Sequence, residues 1–309
     1  MTRPGWDPDS RRALILFFAL VALICGAFDF FAIHYRTGSF KVMWGVGISA
    51  LLTLWLLKRD VRSLGWGFGE WRWQWLAFAL PMGYCLVAYG IIWSAGFGGF
   101  YDAAFVARVR DGNGFAGWSD GAVLAWFVST TAVFGMPGSL SSALGEEIGW
   151  RGFLVPELAK GLPFTAVALI SGLVWGAWHL PLILLGSYHN NSPAALPLYG
   201  QLAMFFIGVV SAAVIMAWLR LKSGSLWTAA IFHASHNLAV QAICNPLTIA
   251  HAQTPKYVDE LGLVLPLTMV PLAVWFFLRG RRELSGRESD PLRGRASARS
   301  ERLEQVGGG

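Results

Sequence analysis

The sequence predicts an all-α, polytopic membrane protein of about eight transmembrane helices packed around an internal cavity. Three observations predict it. Hydrophobic residues make up 55% of the 309-residue chain and charged ones only 14%, with 16 Trp and 21 Phe. That is more apolar surface than a soluble domain can hide from water. The apolar residues gather in eight runs read as long enough to span a membrane: Ala13 to Ile33, Val42 to Leu57, Trp75 to Ser94, Gly121 to Leu144, Phe164 to Leu185, Tyr199 to Leu221, Leu226 to Ile243 and Val258 to Leu278. The basic residues, finally, are divided unequally between the two sides that eight spans define.

Nineteen of the 24 Lys and Arg fall on the side of the two termini, and five (Arg36, Lys41, Arg108, Arg110, Lys256) on the other. Cytoplasmic flanks carry the excess of positive charge, so both termini are expected in the cytoplasm. The net charge of +6 then reflects topology and attraction to anionic lipid, and nucleic acid is excluded as a partner. Cys25, Cys85 and Cys244 have no spacing that suggests a disulfide framework or metal clip, and are read as small packing residues.

Taken in order, residues 1–12 form a cytoplasmic N-terminal segment, and residues 13–120 hold three anchor helices and their loops. The first span is too long for a cleaved signal peptide and lacks a small-residue cleavage site, so it is read as a retained anchor. Lys58 to Gln74, with Trp66, Trp71 and Trp73, suits the headgroup layer that indole rings favour. The loop Ala95 to Asp120 carries no catalytic pattern. Met136-Pro137-Gly138 is expected to break or kink the fourth span, because Pro lacks an amide hydrogen and Gly adds freedom. Residues 121–278 form the functional core. His189, Asn190 and Asn191 fall in a polar connector, and residues 279–309 form a disordered basic tail.

Within that core, Gly145-Glu146-Glu147-Ile148-Gly149-Trp150-Arg151-Gly152 places two carboxylates and a guanidinium at the end of an apolar run. Ionised groups at such depth are costly and mark functional sites. On a helix Glu147 and Arg151, four apart, share a face, and Glu146 is turned from Glu147 by about 100°. Gly161-Leu162-Pro163 is the turn of a hairpin. Glu146, sixteen residues before Leu162, and His179, seventeen after it, then lie at similar depth, about 24 to 26 Å from the turn. Gly172 and Gly176 form a step that lets a neighbouring helix approach, and Pro181 bends the arm beyond His179. On a later span His233 and Asn237, four apart, face one way, while His236 is turned from both.

Glu146, Glu147, Arg151, His179, His233 and Asn237 supply the parts of a hydrolase. A carboxylate takes a proton from water, an imidazole aligns that water, and donors from another helix meet the oxyanion formed when water adds to a carbonyl. Three His and two Glu also permit zinc, although neither a His-Glu-x-x-His helix nor clustered thiolates accompany them. A non-catalytic immunity or scaffold protein that binds peptides in the same cavity, and a proton-coupled transporter, are the remaining readings.

Glu-Glu-x-x-x-Arg at 146–151, an aromatic-x-x-x-His at 175–179 and His-x-x-x-Asn at 233–237, in that order, resemble the CAAX prenyl endopeptidase and bacteriocin-processing (CPBP, or Abi) family of intramembrane glutamic proteases. The likeness covers roughly residues 139–243. It implies a catalytic cavity inside the bundle, cleavage of a peptide or protein tail, and a mechanism with no metal or other cofactor. Glu146 would be the water-activating base aided by His179, with Glu147 in support, and His233 with Asn237 would form the oxyanion hole. Trp175 departs from the family's frequent Phe at what is taken for an apolar packing position, and His236 lies outside the pattern.

Overall fold

The structure, a computed structural model, describes residues 7–35, 40–185, 188 and 192–284. His189, Asn190, Asn191, Arg36, the first six residues and the tail beyond Leu284 lie outside the described residues. Thirteen helical segments are described: α1 Pro8–Tyr35, α2 Phe40–Leu56, α3 Trp71–Ser94, α4 Ala103–Gly112, α5 Asp120–Phe134, α6 Met136–Glu147, α7 Val155–Ala159, α8 Phe164–Trp178, α9 Leu180–Leu184, α10 Leu198–Ser223, α11 Leu226–Asn237, α12 Asn245–Leu247 and α13 Val264–Leu284. Wider π turns follow α6 (Ile148–Leu154) and α11 (Leu238–Cys244). The strands are two residues each, β1 Gly99–Phe100 pairing antiparallel with β2 Thr248–Ile249.

All eight apolar runs are largely helical. Five helices are long and apolar enough to cross a membrane (α1, α3, α8 with α9, α10 and α13), and six if α5 and α6–α7 are one span bent by 41°. The chain is therefore an all-α integral membrane protein, in which α2 and α11 are shorter than a full crossing. The bend falls at Gly135, just before the Met136-Pro137-Gly138 expected to break the helix; Pro137 sits in the first turn of α6 and Gly138 lies inside it. The last helix begins at Val264 instead of Val258, because Asp259 and Gly262 turn the chain first.

Helix burial follows the 3.6-residue period. On α1 the buried positions Ala13, Leu14, Phe17, Val21 and Cys25 form one stripe, while Ile15, Leu23 and Phe30 on the other faces are exposed. In water such a face is an aggregation hazard; in a bilayer it meets acyl chains. α10 is the central element, packed against α8 and α13. Gly172 and Gly176 admit it as the sequence suggests: a Cβ on Gly176 would lie 2.7 Å from the Phe206 ring, and one on Gly172 3.0 Å from Ala213. The three cysteines are free and buried. Of the Trp-rich segment, Trp71 and Trp75 are exposed, whereas Trp73 packs on Trp218 and Gly65 accepts from Leu226 N–H at 2.8 Å, so this segment also clamps the α10–α11 turn.

Candidate active site

Two helices pressed closely together put the acids where they are. Gly145 and Gly149 lie against α2, where a Cβ would come within 2.9 Å of the Trp44 ring and 2.4 Å of Val46 Cγ1. Glycine lets the backbones approach, as in small-x-x-x-small helix pairs. Glu146 is 2% exposed, and Glu147 and Arg151 are wholly buried.

Glu147 is fully employed. Its Oε1 and Oε2 accept from Arg151 Nη1 at 2.9 and 3.2 Å, and Oε1 also meets His233 Nδ1 at 2.9 Å. The guanidinium lies 4.1 Å from the centroid of the Trp175 ring. That π face is what Arg151 Nε and Nη2 meet in place of hydrogen-bond acceptors. Arg220 Nε donates to the Arg151 carbonyl at 2.9 Å, occupying an oxygen that the π turn leaves exposed.

Glu146 points the other way. Its Oε2 accepts the Trp175 indole N–H at 2.7 Å. The carbonyl of Trp175 in turn accepts from His179 Nδ1 at 2.9 Å, which assigns the Nδ1–H tautomer to a neutral ring and leaves the Nε2 lone pair available. His179 stands at the junction of α8 and α9, where Pro181 follows and the helix is broken. One tryptophan therefore holds the acid by its side chain and the imidazole by its backbone.

Glu146, His179, His233 and Asn237 line a single open cavity of about 570 Å³, together with Ser139 of α6 and Tyr188. Glu147 and Arg151 do not line it and stand behind His233. A second, smaller cavity of about 60 Å³ shares His179, Tyr188, His233 and Asn237 with the first, and reaches between α10 and α13 along Phe205, Met216 and Met269. Of the six residues singled out in sequence, four thus meet at the cavity and two support them.

Reasoning from sequence missed three further residues beside the cavities and misplaced a fourth. Tyr188 donates to Glu260 Oε2 at 3.2 Å, and Glu260 also lies 3.4 Å from His236 Nε2. Neither Tyr188 nor Glu260 sits in a motif. His236, off the pattern, borders the smaller cavity. Trp175 is a hydrogen-bond donor to Glu146 rather than an apolar spacer. Its signal was available, because a buried indole N–H needs an acceptor. Among the described residues no three His, Cys, Asp or Glu side chains are grouped as metal ligands.

The family profile described as Type II CAAX prenyl endopeptidase, Rce1-like, matches residues 122–239. This stretch contains all six residues. Over those residues the chain is similar to that family. A curated relative, CAAX prenyl protease 2 of Methanococcus maripaludis, is 28% identical over 127 residues, covering 41% of this chain and 44% of the relative. The chain thus spans less than half the length of the curated relative it matches. The CPBP likeness is concentrated in α5 to α11, the part of the bundle that builds the cavity.

Proposed function

We propose that this chain is an intramembrane endopeptidase of the CPBP type, hydrolysing a peptide bond in a peptide or protein tail with a water activated by Glu146. The observation that carries the reading is the double hold of Trp175 on Glu146 and His179 at one open cavity. With Oε2 held by the indole, Glu146 Oε1 is the oxygen that takes a proton from water. His179 Nε2 accepts the second hydrogen of that water and aims its lone pair. As the water oxygen bonds to the carbonyl carbon, the C=O electron pair moves to oxygen. Asn237 and a doubly protonated His233, held at Nδ1 by Glu147, donate to that oxyanion. Collapse breaks the C–N bond, and the proton on Glu146 passes to the departing amine.

No metal enters this scheme, in which Glu147 is already engaged by Arg151 and His233. Residues 121–278 would form the catalytic core, set in a bacterial inner membrane with both termini cytoplasmic. The relative's name makes prenylated CAAX tails the first substrates to try. The test is cleavage of matched peptides, with and without a prenyl group, by the purified protein in liposomes. Glu146-dependent cleavage of either peptide supports the reading. Cleavage unchanged in Glu146→Gln removes Glu146 as the base, and absence of cleavage leaves the non-catalytic, peptide-binding reading.

A further inference from the structure

His236 follows His233 and precedes Asn237 on α11, yet it turns away from the open cavity and bridges two other parts of the chain. Its Nδ1 lies 2.7 Å from the Tyr84 hydroxyl of α3, and its Nε2 lies 3.4 Å from Glu260 Oε1 in the turn before α13. Glu260 is itself a hub. Oε2 accepts from Tyr188 at 3.2 Å and Oε1 from Gln241 at 3.3 Å. The His236 and Glu260 side chains are only 15% and 17% exposed, so their contacts are sheltered from competing water.

This matters because α11 loses its α register immediately after Asn237, where the chain widens into the π turn Leu238–Cys244. A π turn replaces i to i+4 bonds with i to i+5 ones and shifts the helical register there, and Ser139 Oγ ties α11 to α6 at the Ala234 carbonyl, 2.8 Å away, without fixing the face that carries His236. Rotation is the motion that would swing Asn237 out of the cavity. On one side α11 is pinned by His233 Nδ1 on Glu147 at 2.9 Å; on the other, the only polar anchors that His236 makes among the described residues are Tyr84 and Glu260.

We infer that Tyr84, His236 and Glu260 form a brace that sets the rotation of α11, and that they are positioning residues acting through Asn237. The inference rests on the peptidase reading. Nothing in the three recognition motifs includes these residues, which come from α3, α11 and the turn at 257–263. Burial would push the Glu260 carboxyl up, but the hydrogen bond and charge of His236, with bonds from Asp259 and Gln241, outweigh it and hold Glu260 below its ordinary value. The hub therefore stays an ionised acceptor, suited to several donors at once.

The experiment is a set of double-mutant cycles on the full chain in liposomes, reading kcat and KM with a cleaved peptide. Tyr84→Phe and Glu260→Gln are expected to lower kcat roughly tenfold each, with KM within about twofold, as small misplacements of a catalytic group do. In an Asn237→Ala background the same changes are expected to cost nothing further. A merely structural brace would reduce kcat by the same factor in both backgrounds, and that result overturns the inference, as does an unchanged kcat in both single variants. Melting temperature in detergent guards against a folding defect, and Tyr84→Phe removes one oxygen only. If the wild type shows no Glu146-dependent cleavage, the peptidase reading falls and takes this inference with it. If cleavage needs Glu146 but ignores Tyr84 and Glu260, the brace alone falls.

Discussion

Trp175 holds Glu146 by a single indole hydrogen bond of 2.7 Å, between side chains of residues only 6% and 2% exposed. Replacing Trp175 by Phe keeps an aromatic ring beside Arg151 and removes only the donor. The stranded carboxylate oxygen costs about 1 to 3 kcal/mol. Trp175→Phe is therefore expected to lower kcat by about tenfold while the protein still purifies as a folded species. Steady-state cleavage of a peptide substrate beside a melting curve checks both halves.

The Glu147–Arg151 pair is wholly buried, so removing one partner strands the other. Arg151→Met is expected to destabilise by roughly 3 to 5 kcal/mol, whereas the double variant Glu147→Gln/Arg151→Met recovers much of that loss. Detergent melting temperatures of the two variants give the comparison, and a double variant no more stable than the single contradicts the pairing.

Close approach of α2 to the acid-bearing turn depends on Gly149, where a Cβ would meet Val46 Cγ1 at 2.4 Å and its carbonyl at 2.8 Å. Both neighbours are wedged in the core, so Gly149→Ala is expected to cost about 1 to 3 kcal/mol. Gly138→Ala, whose Cβ would meet nothing within 4 Å, is the control and should leave the melting temperature level or slightly raised.

Asp259 and Glu260 are adjacent carboxyls outside the spanning helices. Burial, and next the charge of Glu260, raise Asp259 above the ordinary carboxylate range. The folded state therefore binds this proton more tightly than the unfolded chain does. Its contribution is fully present below the unfolded value and is lost as pH rises through the folded one. Asp259→Asn removes that loss, and Asn tolerates the φ of 71° found there. The melting temperature of the variant should gain on that of the wild type as pH rises from the acid range to neutrality. A gap that stays constant with pH counts against it.

Much of this was legible in the chain. Hydropathy alone marked the eight helical runs, and Met136-Pro137-Gly138 marked the bend to within a residue or two, because both signals are local. The motif spacing brought Glu146, His179, His233 and Asn237 to one cavity, since helix geometry converts spacing into direction. The two π turns were not legible: they are stabilised from a distance, the first by Arg220 reaching the Arg151 carbonyl, and composition carries no trace of that. Tyr188 and Glu260 sit in connecting segments without periodicity, so only the fold brings them to His236 and the cavities. The late start of α13 escaped detection because Leu261, Leu263 and Val264 keep the hydropathy high across a turn.

Glu146 and His179 working on one water is the claim on which the rest depends, and a kinetic cycle with Glu146→Gln, His179→Ala and the double variant measures it most directly. Each single change is expected to lower single-turnover cleavage by about a hundredfold or more, with the double variant no worse than the poorer single, as groups acting as a unit behave. Cleavage by Glu146→Gln within a few-fold of the wild type, or two losses that multiply, would contradict it.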